Sequence, residues 1–268
     1  MRHHLLNPER SAHVVRALKL VDRGWFVPAQ YLSQAYMDEP FLSGKFHLSA
    51  PHLYAQVLEA LDLKPGQRFL NLGSGTGYLS HVVAAIVTSR GACHGVEQHA
   101  SLVEFASGRC AAVEALRELN WLTFVHGDAF GVELADDDDA YDRIYIGGGV
   151  SAPAVERFRE LLKPDGGVLV VPRGEELVRI ERVSEDHYRQ ASLAQVRFAV
   201  RFAFVRGRRT RVLTAPDKLF AVPDERTRHV AERVRPGTAA TDLCFVSDGS
   251  GAVSVARVTM CIAPARVP

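Results

Sequence analysis

Residues 69–80, FLNLGSGTGYLS, join a short apolar run to an apolar helical stretch through three glycines, Gly73, Gly75 and Gly77. Glycine at a strand-to-helix junction lets a ligand approach the backbone with no side chain in the way. The turn therefore predicts a nucleotide-like group seated at the end of a first core strand. Its spacing is GxGxG, without the third-position glycine of the GxGxxG dinucleotide fingerprint, and it is not GxxxxGK followed by Ser or Thr, which excludes a P-loop. Twenty residues after Gly77 comes Glu97, at the end of a second strand in HGVEQH, positioned to accept hydrogen bonds from both hydroxyls of a ribose. Asp128 in VHGDAF ends a third strand beside an aromatic residue, as an adenine-contacting pair does. With these, Asn71, Ser74, Gln98 and Ala129 complete a candidate cofactor-binding set.

Outward from this turn, strand and helix alternate to about residue 170. RFLNLG reads as a strand, 77–89 as a helix, ACHGVE as a strand, 100–119 as a helix, and LTFVHGD and YDRIYIGGG as strands. A helix over 153–163 and the strand GGVLVVP follow. Such alternation predicts a doubly wound, Rossmann-like parallel sheet. From residue 176 the period changes to two. ELVRIERV and AQVRFAVRFAFV around the polar turn SEDHYR predict an antiparallel hairpin at the sheet edge. Ahead of the sheet, Asn7 and Pro8 open a helical stripe through Val14, Val15, Leu18 and Val21 that stops at Gly24, and an irregular aromatic stretch runs on to Phe46. The expected organisation is a catalytic domain over 1–206, with substrate-side helices in 1–63, and a C-terminal extension over 207–268. In the extension, strand signals are confined to LCFVSD and AVSVARVTMCI.

A chain of 268 residues, 47% hydrophobic, has enough apolar material for a full core. Its longest apolar runs, LSHVVAAIVTS and GGVLVVP, fall well short of the roughly 20 residues a membrane helix needs, and MRHHLLNPERS has no signal-peptide core, so the chain reads as cytoplasmic with no membrane partner. Cys93, Cys110, Cys244 and Cys261 form no CxxC pair, which suits reduced thiols and implies no metal. The net charge is +1, yet residues 201–235 carry ten Lys/Arg against four Asp/Glu. That segment lacks interleaved stacking aromatics beyond Phe202 and Phe204, which argues against a nucleic-acid partner.

A second candidate cluster lies upstream, in GKFHLSAPHLYAQVLEAL at 44–61. Tyr54, Val57, Leu58 and Leu61 form one helical face, and Pro51 suits the first turn. Ser49 then sits at or just before the N-cap, where a serine either closes the helix on itself or helps hold an anion against the free N–H groups. His47, Leu48 and His52 flank it.

Taken together, LSAPHLYAQVLEAL, GSGTGYLS, YDRIYIGGG and LLKPDGGVLVVP resemble, in order and spacing, the protein-L-isoaspartate O-methyltransferase family of class I S-adenosylmethionine-dependent methyltransferases. HLSAP with YDRIY is most similar to its isoaspartate methyltransferase domain-containing branch, which includes ubiquitin-ligase adaptors. The resemblance covers about residues 8–205. It implies S-adenosyl-L-methionine as cofactor, wrapped by Gly73, Ser74, Gly75 and Gly77 with Glu97 and Asp128 on ribose and adenine. It also implies methyl transfer at Ser49 to an isoaspartyl or aspartyl carboxylate of a protein or peptide, the reaction of protein repair. Where the family has Thr-Ile-Ser ahead of Ala-Pro, this chain has His47-Leu48-Ser49. The chemistry agrees with a carboxylate acceptor: with a reference pKa near 4 it is already an ionised nucleophile, so Ser49, helped by His52 or His47, has only to position it. Two other readings accompany this one. The basic 201–235 run suits capture of one acidic precursor by a dedicated aspartate methyltransferase of a ribosomal peptide natural product, and an adaptor would keep the pocket to recruit a protein without turnover.

Overall fold

The computed structural model describes residues 12–112, 116–134, 136, 139–196, 242–247 and 253–258. Helix α1 (Ala12–Leu20) is followed by two 3₁₀ segments, Arg23–Phe26 and Ala29–Tyr36, and by a small hairpin of β1 (Phe41–Ser43) and β2 (Phe46–Leu48). Helix α2 (Pro51–Leu61) then buries Tyr54, Val57, Leu58 and Leu61, the apolar face its sequence spacing predicts.

The alternating core comprises β3 (Arg68–Leu72), α3 (Tyr78–Val87), β4 (Ala92–Glu97), α4 (Ala100–Ala112), β5 (Leu122–His126), β6 (Arg143–Ile146), α5 (Ala152–Arg159) and β7 (Gly167–Arg173). β8 (Glu176–Ser184) and β9 (His187–Gln195) extend it into one seven-stranded sheet in the order β5-β4-β3-β6-β7-β8-β9. The first five strands in that order run parallel, and β8 and β9 are antiparallel, as expected of a doubly wound sheet with an edge hairpin. The central strands are buried on both faces. Phe69, Val82, Val83, Phe124 and Tyr145 lie in one core cluster, and Leu70, Leu72, Val96, Ile144 and Ile146 in the other.

Two boundaries differ from the sequence reading. The second hairpin strand starts at His187, not Ala194, because β8 and β9 turn tightly at Glu185 and Asp186. α4 ends at Ala112 rather than near 119. β10 (Asp242–Ser247) and β11 (Val253–Val258) pair antiparallel, matching both strand signals in the extension. The basic run at 201–235, including Phe202, Phe204, Arg206, Arg208 and Arg209, and the boundary at 206 lie outside the described residues. No helix among the described residues is long and apolar enough to cross a membrane.

Two histidines are buried in this core. His81 of α3 sits 2.9 Å through Nδ1 from the Gly77 carbonyl, and His94 of β4 sits 2.9 Å through Nδ1 from the Tyr141 hydroxyl. Burial lowers both pKa values to about 4. Neutral imidazole is thus favoured in the folded state, while the unfolded chain takes up protons as pH falls below about 6.5. Stability is therefore complete above pH 6.5 and declines towards pH 4, by up to about 3 kcal/mol for each histidine. Urea melts at pH 7 and pH 4.5 check this, and equal unfolding free energies would contradict it.

Candidate active site

The parallel strands change direction of winding between β3 and β6, and the loops at their C-terminal ends approach closely there. A Cβ placed on Gly147, just past β6, would stand 2.6 Å from the Gly73 carbonyl oxygen. Such a switch point is where open α/β sheets bind ligands. The glycine turn lies at it. Gly73, Gly75 and Gly77 have φ of 76°, 56° and 85°, the left-handed region that glycine adopts without strain. They differ in what crowds them. A Cβ on Gly77 would collide with Ala106 and Phe124 at 2.8 Å, so this glycine serves close helix–sheet packing. One on Gly75 would meet only the His47 carbonyl oxygen, at 3.5 Å, so this glycine faces the space a ligand needs.

Glu97 closes the turn from the neighbouring strand. The residue is 6% exposed; Oε2 accepts the Gly75 N–H at 3.0 Å, and Oε1 accepts the His99 N–H at 3.0 Å and lies 2.8 Å from His99 Nδ1. The ribose-binding candidate is thus also the clamp on the glycine loop. Four lone-pair sites on a carboxylate leave it acceptor capacity beyond these three contacts. His99 was not singled out by sequence; an acid two residues before a helix-opening histidine was the available signal. Ser74 offers a buried Oγ without a hydrogen-bond partner, and its N–H bonds the Val96 carbonyl at 3.0 Å. Asp128 caps a 3₁₀ turn, Oδ1 accepting the Phe130 N–H at 3.0 Å, with Ala129 buried beneath, while the Gln98 carbonyl stands 3.1 Å from His126 Nε2. Asn71 Nδ2 donates to Ser80 Oγ at 2.9 Å, tying β3 to α3, and its buried Oδ1 has no hydrogen-bond partner.

β2 is docked by Phe46 edge-on against Phe105 of α4, with centroids 5.0 Å apart, and brings the His47 carbonyl up to Gly75 of this loop. Leu48 is fully buried in the core. Ser49 is 6% exposed, and its N–H donates to the Tyr54 hydroxyl at 3.1 Å. The N-cap of α2 is Ala50, one residue beyond Ser49, and makes no side-chain cap. Asp38 supplies the cap from 14 residues upstream, Oδ1 accepting the His52 N–H at 2.9 Å. The same Asp38 oxygen lies 2.9 Å from His52 Nδ1, and the His52 side chain is 56% exposed, so this histidine is engaged outward, with Asp38. At the other end of α2, Arg143 and Arg179 donate to the carbonyls of Asp62 and Ala60 at 3.3 and 3.0 Å, fixing the helix that follows Ser49 against the sheet.

The doubly wound order, the glycine turn at the switch point and acids ending the next two strands define a class I methyltransferase fold of the S-adenosylmethionine-dependent type. Residues 3–203 match the family model of protein-L-isoaspartate(D-aspartate) O-methyltransferase (PCMT), and the chain belongs to that family. It is 37% identical over 197 residues to a protein-L-isoaspartate O-methyltransferase of Methanothermobacter thermautotrophicus, covering 70% of this chain and 86% of the relative. It is also 37% identical over 191 residues to protein-L-isoaspartate O-methyltransferase 1 of Archaeoglobus fulgidus, covering 70% and 84%. Among solved structures, a Plasmodium falciparum beta-aspartate methyltransferase of this family, in complex with S-adenosyl-L-homocysteine, superposes with a TM-score of 0.58 at 24% identity. That match covers 72% of this chain and 94% of that one, and shows the shared fold.

Proposed function

We propose that residues 1–206 form an S-adenosylmethionine-dependent carboxyl methyltransferase acting on the free carboxylate of isoaspartyl residues in proteins or peptides. The observation that carries this is the approach of the His47 carbonyl, two residues before Ser49, to Gly75 of the cofactor-type turn, which supports an acceptor-placing role for the serine near the methyl-donor site. Gly75, the Ser74 hydroxyl and Glu97 fit the cofactor, offering open backbone, an unpartnered polar atom and a carboxylate with remaining acceptor capacity. When bound, S-adenosylmethionine supplies an electrophilic methyl on a sulfonium. The chain's residues then have to place one carboxylate oxygen and exclude water.

The groups around Ser49 suit that role. Tyr54 and Tyr145 are buried and their pKa values raised by that burial, so both are neutral hydroxyls at physiological pH, donors and not bases. An ionised acceptor requires no base, whereas an amine or alcohol acceptor would normally use one. On an aspartyl-type carboxylate the resulting methyl ester is open to attack by the neighbouring backbone nitrogen, giving a succinimide; this is the chemical basis for reading the activity as repair.

Incubation with methyl-labelled S-adenosylmethionine and an isoaspartyl peptide, beside its aspartyl twin, tests the proposal. Label is expected on the isoaspartyl peptide at least roughly tenfold faster, since displacement of the carboxylate by one methylene misplaces it. Mild alkali is expected to release the label as methanol. An alkali-stable product, or equal labelling of both peptides, contradicts the assignment.

A further inference from the structure

We propose that Tyr54 is a positioning residue for Ser49, fixing its amide. The inference rests on the methyltransferase reading above and deepens it. Tyr54 belongs to the core-facing stripe of α2, where an aliphatic side chain would fill the same need. It is instead a phenol whose oxygen accepts the Ser49 N–H at 3.1 Å. A buried N–H left without a partner is costly, so this bond holds Ser49 in one place.

The ring of Tyr54 is itself braced. It stands edge-on to Tyr78 with centroids 5.4 Å apart, and the Arg23 guanidinium carbon lies 5.9 Å from the Tyr54 centroid and 5.6 Å from that of Tyr78. Arg23 is buried, and its Nε and Nη1 have no hydrogen-bond partner. The aromatic faces take up part of what those donors lack, and in return the cation fixes both rings.

The test uses the full-length chain with Tyr54→Phe, alone and combined with Ser49→Ala. Tyr54→Phe is expected to lower kcat for isoaspartyl peptide methylation roughly tenfold with S-adenosylhomocysteine affinity within about threefold. The loss is expected to vanish on the Ser49→Ala background. Amide hydrogen exchange at Ser49 is expected to accelerate in Tyr54→Phe. Unchanged exchange there, or kcat losses that persist in full without the Ser49 hydroxyl, overturns the proposal. Should the wild-type chain methylate no carboxylate peptide, the proposed function fails, and the Ser49 exchange rate still decides the Tyr54 clamp. Should Tyr54→Phe not fold, Arg23→Lys, which loosens the brace on the Tyr54 ring, is read by the same kcat and Ser49 exchange measurements.

Discussion

Glu97→Ala is expected to weaken S-adenosylhomocysteine binding by about thirty- to a hundredfold, on the order of 2–3 kcal/mol for loss of a charged hydrogen-bond acceptor. Titration calorimetry on the folded variant reads it. Two losses combine in this one substitution. The ligand loses the carboxylate proposed to face its ribose, and the Gly75 N–H loses the acceptor that holds the turn in its left-handed conformation, 3.0 Å away in the native chain. Glu97→Gln separates them. An amide retains an oxygen to accept the Gly75 N–H but no charge, so its affinity is expected to fall between wild type and alanine. Gly75→Val attacks the same site sterically. At φ 56° a β-branched residue is strained, and its methyls project toward the His47 carbonyl across the space the cofactor needs. Unchanged affinity in folded Glu97→Ala and Gly75→Val removes the cofactor assignment.

How much of this is legible in the sequence depends on how local each signal is. The sheet order followed from strands flanked by helices, and Gly75 and Glu97 from short-range spacing, because a strand-to-helix turn and its neighbouring acid are set within one βαβ unit. β9 was misplaced for a physical reason. Its residues His187–Gln195 lie on an exposed edge with scarcely a buried position, so they show little hydrophobic alternation, while the apolar run just beyond them does. The cap of α2 was illegible for another. Asp38 reaches the His52 N–H only because the β1–β2 hairpin folds the chain back, and Ser49, next to Ala50, looked like the nearer candidate. Arg23 and Tyr145 gave no periodic signal. Their significance lies in unpartnered buried atoms, which exist only once the core has closed around them.

Ser49→Ala is expected to lower kcat by at least roughly tenfold while S-adenosylhomocysteine affinity stays within a few-fold and Tm is nearly unchanged. Single-turnover kinetics, calorimetry and thermal melting read the three quantities. The combination follows from where the serine sits. Were its hydroxyl a helix cap, alanine would remove about 1 kcal/mol of stability and leave the rate of folded enzyme intact. That duty belongs to Asp38, so Asp38→Ala is the variant expected to lower Tm, through the lost bond to the His52 N–H. The amide of Ser49 keeps its bond to Tyr54 when the side chain is shortened, so the backbone over Gly75 stays in place and the cofactor site is undisturbed. Only the hydroxyl is removed, and it is the group that would meet an acceptor carboxylate. Because a small misplacement of the reacting oxygen is enough to cost a large factor in rate, the loss belongs in kcat and not in cofactor binding. Ser49→Ala that melts early yet turns over at the wild-type rate would return the serine to a structural role and move the acceptor site elsewhere.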